Sequence, residues 1–147
     1  MRARLRLLAV ASGWLLCAAG AQAGLGGNLA SVHEDAQAFA ARSSQAVQGT
    51  ATVFSQTLPN TLIVRQYVDV TGLVFAVGWE GPVLPDLERL LGSFHPVYAL
   101  AVRQQKRGVS IQTPELVIES GGMMRAFNGR ALLPAKLPAG IAHQDIR

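Results

Sequence analysis

The chain holds three histidines, the residues best suited to metal binding or acid–base work near neutral pH. His33-Glu34-Asp35 is a run of potential ligands. On a helix, however, consecutive side chains point about 100° apart and cannot close on one ion. An i, i+4 partner would be needed, and position 37 is Gln. His95 stands before Pro96, where it suits a helix cap or a loop, and His143 lies near Asp145 in the last residues. All three read as solvated surface histidines, so no metal ligand is assigned. Nucleophilic chemistry has no better footing. There is no G-x-S-x-G elbow, and the single cysteine, Cys17, falls in the N-terminal apolar run. Ser120 precedes Gly121-Gly122, where a turn explains both residue types. No catalytic residue and no cofactor-binding residue is assigned.

The glycine pairs Gly26-Gly27 and Gly121-Gly122 lack the strand–loop–helix frame and the following Lys and Ser/Thr of a phosphate loop. The basic run Arg103, Lys106, Arg107 reads as a favourable match to the negative end of a helix, with an anionic lipid or polysaccharide as the alternative. Interaction chemistry is better represented. Arg125 and Arg130 flank Phe127 across Asn128-Gly129, a pairing of cation and aromatic that can face a partner. Trp79 belongs to the core by alternation with Phe75 and Val77, but it stands next to Gly81-Pro82 at a strand end. Trp79, Arg125, Phe127 and Arg130 are therefore the candidate interaction surface. Met123-Met124 reads as core filling, with a soft contact surface as the alternative.

These residues are positioned by what remains after the N-terminus is processed. Arg2, Arg4 and Arg6 precede an apolar run over residues 7–20, and Ala21-Gln22-Ala23 supplies the small residues a signal peptidase requires. Residues 1–23 read as a secretory signal peptide cut between Ala23 and Gly24. The apolar run is shorter than the roughly 20 residues a spanning helix needs. Leu16 stands where lipoprotein processing at Cys17 wants a small residue. Removing residues 1–23 takes away three of the 13 Lys and Arg and none of the nine Asp and Glu, so the net charge falls from +4 to +1. The excess charge of a nucleic-acid binder goes with it, as does the only cysteine, so the mature chain forms no disulfide. Residues 24–147 are expected to form one exported, periplasmic domain without a transmembrane segment, flexible at 24–30 and 134–147.

Ser31 followed by Glu34 reads as a capping box, and Val32, Ala36, Phe39 and Ala40 form one stripe, predicting a helix over residues 32–42. Strands are expected over residues 50–55, 61–70 and 73–80, joined by turns at Pro59-Asn60 and Thr71-Gly72. In the second of these, Leu62, Val64, Val68 and Val70 share a face. In the third, Leu73, Phe75, Val77 and Trp79 occupy one face and Val74, Ala76 and Gly78 the other. Ala76 and Gly78 are small enough to admit a helix close by. Pro85 and Gly92 bracket a short helix, and Pro96 and Gly108 a second, although residues 98–102 also suit a strand. A hairpin turning at Gly121-Gly122 should pair residues 115–120 with 123–127, and Asn128-Gly129 should turn the chain into residues 130–133. The expected class is α+β: an antiparallel sheet of about five strands, a meander plus a C-terminal hairpin, with the N-terminal helix and one or two middle helices packed on it.

The segment Tyr67-Val68, Gly72, Val74 to Val77, Trp79, Gly81-Pro82, Pro85-Asp86-Leu87 and Leu90-Leu91-Gly92 carries a family pattern. Ser120-Gly121-Gly122, Met124 to Phe127, Gly129-Arg130-Ala131, Leu133-Pro134 and Asp145-Ile146-Arg147 extend it. Together with the export signal these residues resemble small exported proteobacterial proteins of the domain of unknown function 2844. The resemblance implies a bacterial envelope location and carries over no activity and no site residue. The expected function is a non-enzymatic binding domain for an envelope protein or envelope component, with no cofactor. A hydrolase of an envelope polymer using a histidine, and a carrier of an apolar small molecule, are the alternatives.

Overall fold

The computed structural model describes residues 24–147. The expected signal peptide, residues 1–23 with Ala21 and Ala23, lies outside the described residues. Helix α1 spans Leu29–Ala38, and its N-cap is Asn28, whose side chain accepts the Ser31 N–H at 3.1 Å. The helix thus begins three residues before the expected start at Val32, because Asn28 satisfies a free first-turn donor and Ser31 turns inward to donate to the Asn28 carbonyl at 2.7 Å. It also ends early: Ala40 has φ +49, and the next residues run out into a strand that was not expected.

Seven antiparallel strands form one sheet in the order β1-β2-β3-β4-β7-β6-β5. β1 (Arg42–Gln48), β2 (Ala51–Thr57), β3 (Ile63–Val68) and β4 (Val74–Gly81) make a four-stranded meander. Helices α2 (Leu87–Leu91) and α3 (His95–Gln104) follow and pack on one face of the sheet. β5 (Val109–Gln112), β6 (Val117–Met123) and β7 (Ala126–Leu132) make a second meander, whose last strand pairs with β4. Residues 98–102 are therefore helical. Five expected strands become seven because β1 and β5 lie at the sheet edges. There, strands without a two-sided apolar pattern give little sequence signal.

The expected turns in the second meander are displaced. Gly121-Gly122 lies within β6 and Asn128-Gly129 within β7, while the chain reverses at Met124-Arg125, between the paired residues Met123 and Ala126. Gly129 is needed inside its strand because the Trp79 ring crosses it: a Cβ there would approach Trp79 Cε2 to 2.6 Å. Close packing has taken the glycine that a turn would otherwise use.

The sheet has an apolar core on each face. Val32, Phe54, Val64, Val77, Trp79, Leu87, Leu90, Leu91 and Tyr98 pack between sheet and helices. Ala51, Val53, Tyr67, Phe75, Ala76 and Leu132 pack beneath Ile141 and Ile146 on the other face. β4 serves both cores, and the alternation expected along it breaks at Phe75. Tyr67 pairs with Ala76 and Val68 with Val74, which leaves Phe75 as the extra residue of a β-bulge. Val77 and Trp79 face the helices, and Phe75 and Ala76 face the opposite side. Ala76 and Gly78 admit the C-terminal segment rather than a helix: a Cβ at Gly78 would strike the Arg147 carbonyl. Residues 134–147, expected as a flexible surface extension, cover this face and bury Ile141 and Ile146. At the other end, Leu25 is fully buried and its N–H donates to the Leu90 carbonyl at 2.8 Å. Among the described residues no helix is long and apolar enough to cross a membrane.

Candidate functional site

The four residues of the expected interaction surface separate: Trp79 and Arg130 are structural, Arg125 is exposed and Phe127 is half-buried. Trp79 is 1% exposed and belongs to the helix-side core, with an indole Nε1 that finds no partner among the described residues. Arg130 is half-buried on the opposite face. It bonds Glu119 at 2.7 Å and donates to the carbonyls of His143 at 2.7 Å and Ile146 at 3.3 Å. It anchors the C-terminal segment. Arg125 and Phe127 lie at the β6–β7 hairpin and remain available.

That hairpin tip is the most exposed apolar feature of the described residues. Met123 and Met124 are 82% and 95% exposed, and neither fills the core. Arg125 completes the turn with φ +66, a conformation that costs a non-glycine residue about 1 kcal/mol. Asn or Gly would be the ordinary choice there. Phe127 lines hollows on both sides of the tip. One, of about 190 Å³, is formed with Leu84, Tyr98, Val102 and Gly122; the other, of about 550 Å³, with Arg125, Ile63, Glu80 and Pro82. Val102 brings the C-terminal end of α3 to the first hollow, and Arg103, Lys106 and Arg107 follow it, all exposed. Residues 103–108 and 122–130 contain cations and no carboxylate. The surface therefore combines exposed thioether and aliphatic groups with the cations Arg103, Lys106, Arg107 and Arg125, and Glu80 lines the second hollow.

A buried polar network lies on the other side of the helix layer. Asp35 is fully buried on the inner face of α1. Its Oδ1 accepts Arg89 Nε at 2.6 Å, its Oδ2 accepts Gln66 Nε2 at 3.0 Å, and the Gly24 backbone N–H donates to the same carboxylate. Burial drives the Asp35 carboxyl above the usual range, opposed by the Gln66 and Arg89 hydrogen bonds, the Arg89 charge and the Gly24 N–H. Gln56 donates to the Val32 carbonyl at 2.9 Å. The stripe expected on α1 omits Asp35, although it stands three residues after Val32 on the same side. The available signal was in the strands, where Gln56 and Gln66 occupy inward positions between Phe54, Val64 and Val68. Two inward amides require a polar group on the element that covers them.

The histidines lie in separate elements. His33 on α1 meets Phe54 edge-on at 5.9 Å, His95 opens α3 beside Tyr98, and His143 lies in the C-terminal segment on the other face. Among the described residues no group of three or more His, Cys, Asp or Glu is placed to hold a metal ion. Ser120 lies within β6, paired with Gly129 and Val109. A further hollow of about 530 Å³ adjoins Glu119, Arg130 and Arg147. Within it Glu119 pairs with Arg130, which holds the C-terminal segment, and the lining residue Glu80 pairs with Arg65.

Fold and surface together define a small α+β domain: a seven-stranded antiparallel sheet covered by helices on one face and by its own C-terminal segment on the other. A family model described as "Protein of unknown function (DUF2844)" matches residues 21–146, and the chain belongs to that family. No curated protein and no solved structure matches the chain significantly.

Proposed function

We propose that the protein is exported to the bacterial periplasm, loses residues 1–23, and acts as a non-enzymatic interaction domain that touches an anionic membrane surface of the envelope. The contact is the hairpin tip together with the end of α3. The observation that carries this reading is Met123-Met124-Arg125: two exposed methionines presented by a turn whose third residue is held in a costly backbone conformation. Strain kept at an exposed position points to a use for the side chain that causes it. Arg103, Lys106, Arg107 and Arg125 supply the charge. Each cation near an anionic bilayer contributes about 1 kcal/mol, and the methionines add interfacial burial, which gives weak, salt-sensitive binding. The carrier alternative calls for a cavity between helix and sheet, and that space is filled by Val32, Phe54, Val77, Leu90 and Leu91. The hydrolase alternative calls for a histidine set beside a nucleophile, and the three histidines stand on three different elements.

Co-sedimentation of the exported protein with phosphatidylglycerol and with phosphatidylcholine vesicles tests this reading. Binding is expected to the anionic vesicles alone and to fall as salt rises. The double substitution Met123→Ser, Met124→Ser should abolish it. Arg125→Gly should weaken it while leaving the melting temperature no lower than the parent's, since glycine accepts φ +66 freely. Equal binding to both vesicle types, or full binding by these variants, would contradict the reading.

A further inference from the structure

Gly24, the residue that follows the proposed cleavage point, is built into the fold. It is buried with φ +75, and a Cβ on it would come within 2.5 Å of the Arg89 carbonyl oxygen and overlap that of Leu90. Its carbonyl accepts the Gly27 N–H at 2.9 Å, and the Gly26 N–H donates to the Val74 carbonyl at 2.9 Å. Its nitrogen faces the buried carboxylate of Asp35. Signal peptidase reads small residues at positions 21 and 23. The glycine at 24 answers to the packing instead.

We propose that cleavage before Gly24 creates an α-ammonium that pairs with Asp35 inside the domain, so that processing completes the buried network. This rests on the leader reading above. Hydrolysis of the Ala23–Gly24 bond adds one water, leaves the carboxylate on Ala23 and the amine on Gly24, and the amine takes up a proton near neutral pH. The nitrogen that donated one N–H to Asp35 then carries three and a full positive charge. Asp35 has a use for it. Its one basic partner among the described residues, Arg89, is 34% exposed and shares its charge with solvent, and burial still holds the carboxyl above its usual range. A second cation at the Gly24 nitrogen offsets that burial. The Arg89 and Leu90 carbonyls, packed against Gly24, add acceptors close to the new charge.

The test begins with the full-length chain expressed in a bacterium that exports it, followed by the intact mass of the product. A mass starting at Gly24 is expected; a retained leader or another start overturns the leader reading and this inference with it. Acylation by a limiting amine reagent is then followed by residue. The Gly24 amine should react at least about tenfold more slowly in the native protein than in urea, while the exposed Lys106 and Lys136 react at similar rates in both. In Asp35→Asn the protection should fall. Protein acylated in urea and refolded should melt about 3 °C or more below protein acylated in the native state, because the two differ at Gly24. Rapid native acylation of Gly24, unchanged protection in a folded Asp35→Asn, or equal melting temperatures would each overturn the pairing.

Discussion

Asp35 and Asp69 are carboxylates handled in opposite ways by their surroundings. Asp35 is buried and pushed toward protonation, and its partners come from β3, α2 and the N-terminal segment. Asp69 closes the β3–β4 turn. Partial burial works against its charge, but its Oδ1 accepts the Thr71 hydroxyl at 2.6 Å and the N–H groups of Thr71 at 2.8 Å and Leu73 at 3.0 Å, which hold the carboxyl below its ordinary value of 3.8. A depressed folded-state value stabilises the fold above the unfolded value, and that stability is lost as pH falls through the folded one. Asp69→Ala should therefore lower stability at pH 7 by about 1–2 kcal/mol. It should also flatten the acid-side decline in urea-unfolding experiments run from pH 6 to pH 2. The turn was legible as Thr71-Gly72. The aspartate that organises it was not singled out, because a turn signal names the residues that bend and says nothing of the acceptor that holds them.

Among the elements, the meander β2-β3-β4 was legible, since Pro, Gly and apolar runs mark it directly, whereas the helix at 95–104 was legible only in its bracketing residues, because residues 98–102 suit a strand as well. The hairpin was misplaced for an informative reason. Asn128-Gly129 is a strong turn signal by local conformation, yet glycine is also the residue that lets a large ring lie on a strand, and Trp79 uses it so. Gly129→Ala should cost 2 kcal/mol or more, roughly the overpacking range, because the new methyl meets both the indole and the Glu119 carbonyl. Thermal unfolding followed by near-ultraviolet circular dichroism of Trp79 would show it; an unchanged melting temperature would mean that the ring does not cross the strand. The candidate site depended on this hairpin. Of the expected interaction surface, Arg125 stands exposed at the tip and Phe127 half-buried beside it, whereas long-range bonds to Glu119 and the C-terminal segment occupy Arg130. Partners distant in sequence leave no local pattern to read. The bulge at Phe75 escaped for the same reason, since one extra residue inverts the alternation without changing composition.

The whole molecule is a sheet that buries both faces with unequal material: helices on one, and residues 134–147 on the other. That segment has too few apolar residues, spaced too irregularly, to announce itself as core, yet Ile146 is 1% exposed and the Tyr67 hydroxyl bonds both the N–H and the carbonyl of Arg147. Ile146→Ala should cost about 2–5 kcal/mol in chemical denaturation, the range for emptying a core position. A cost under 0.5 kcal/mol would show that the second face is only loosely covered. With both faces and the Gly24 end packed, the β6–β7 tip and the adjoining end of α3 bring apolar groups and cations to solvent together. The most direct measurement of that surface's role is the emission of Met124→Trp in the exported protein. Trp79 is buried, so the new indole reports from the tip. The account predicts a solvent-exposed emission in buffer that shifts to shorter wavelength on phosphatidylglycerol vesicles and stays unshifted on phosphatidylcholine. Binding to the anionic vesicles without any shift, or no binding at all, would contradict it.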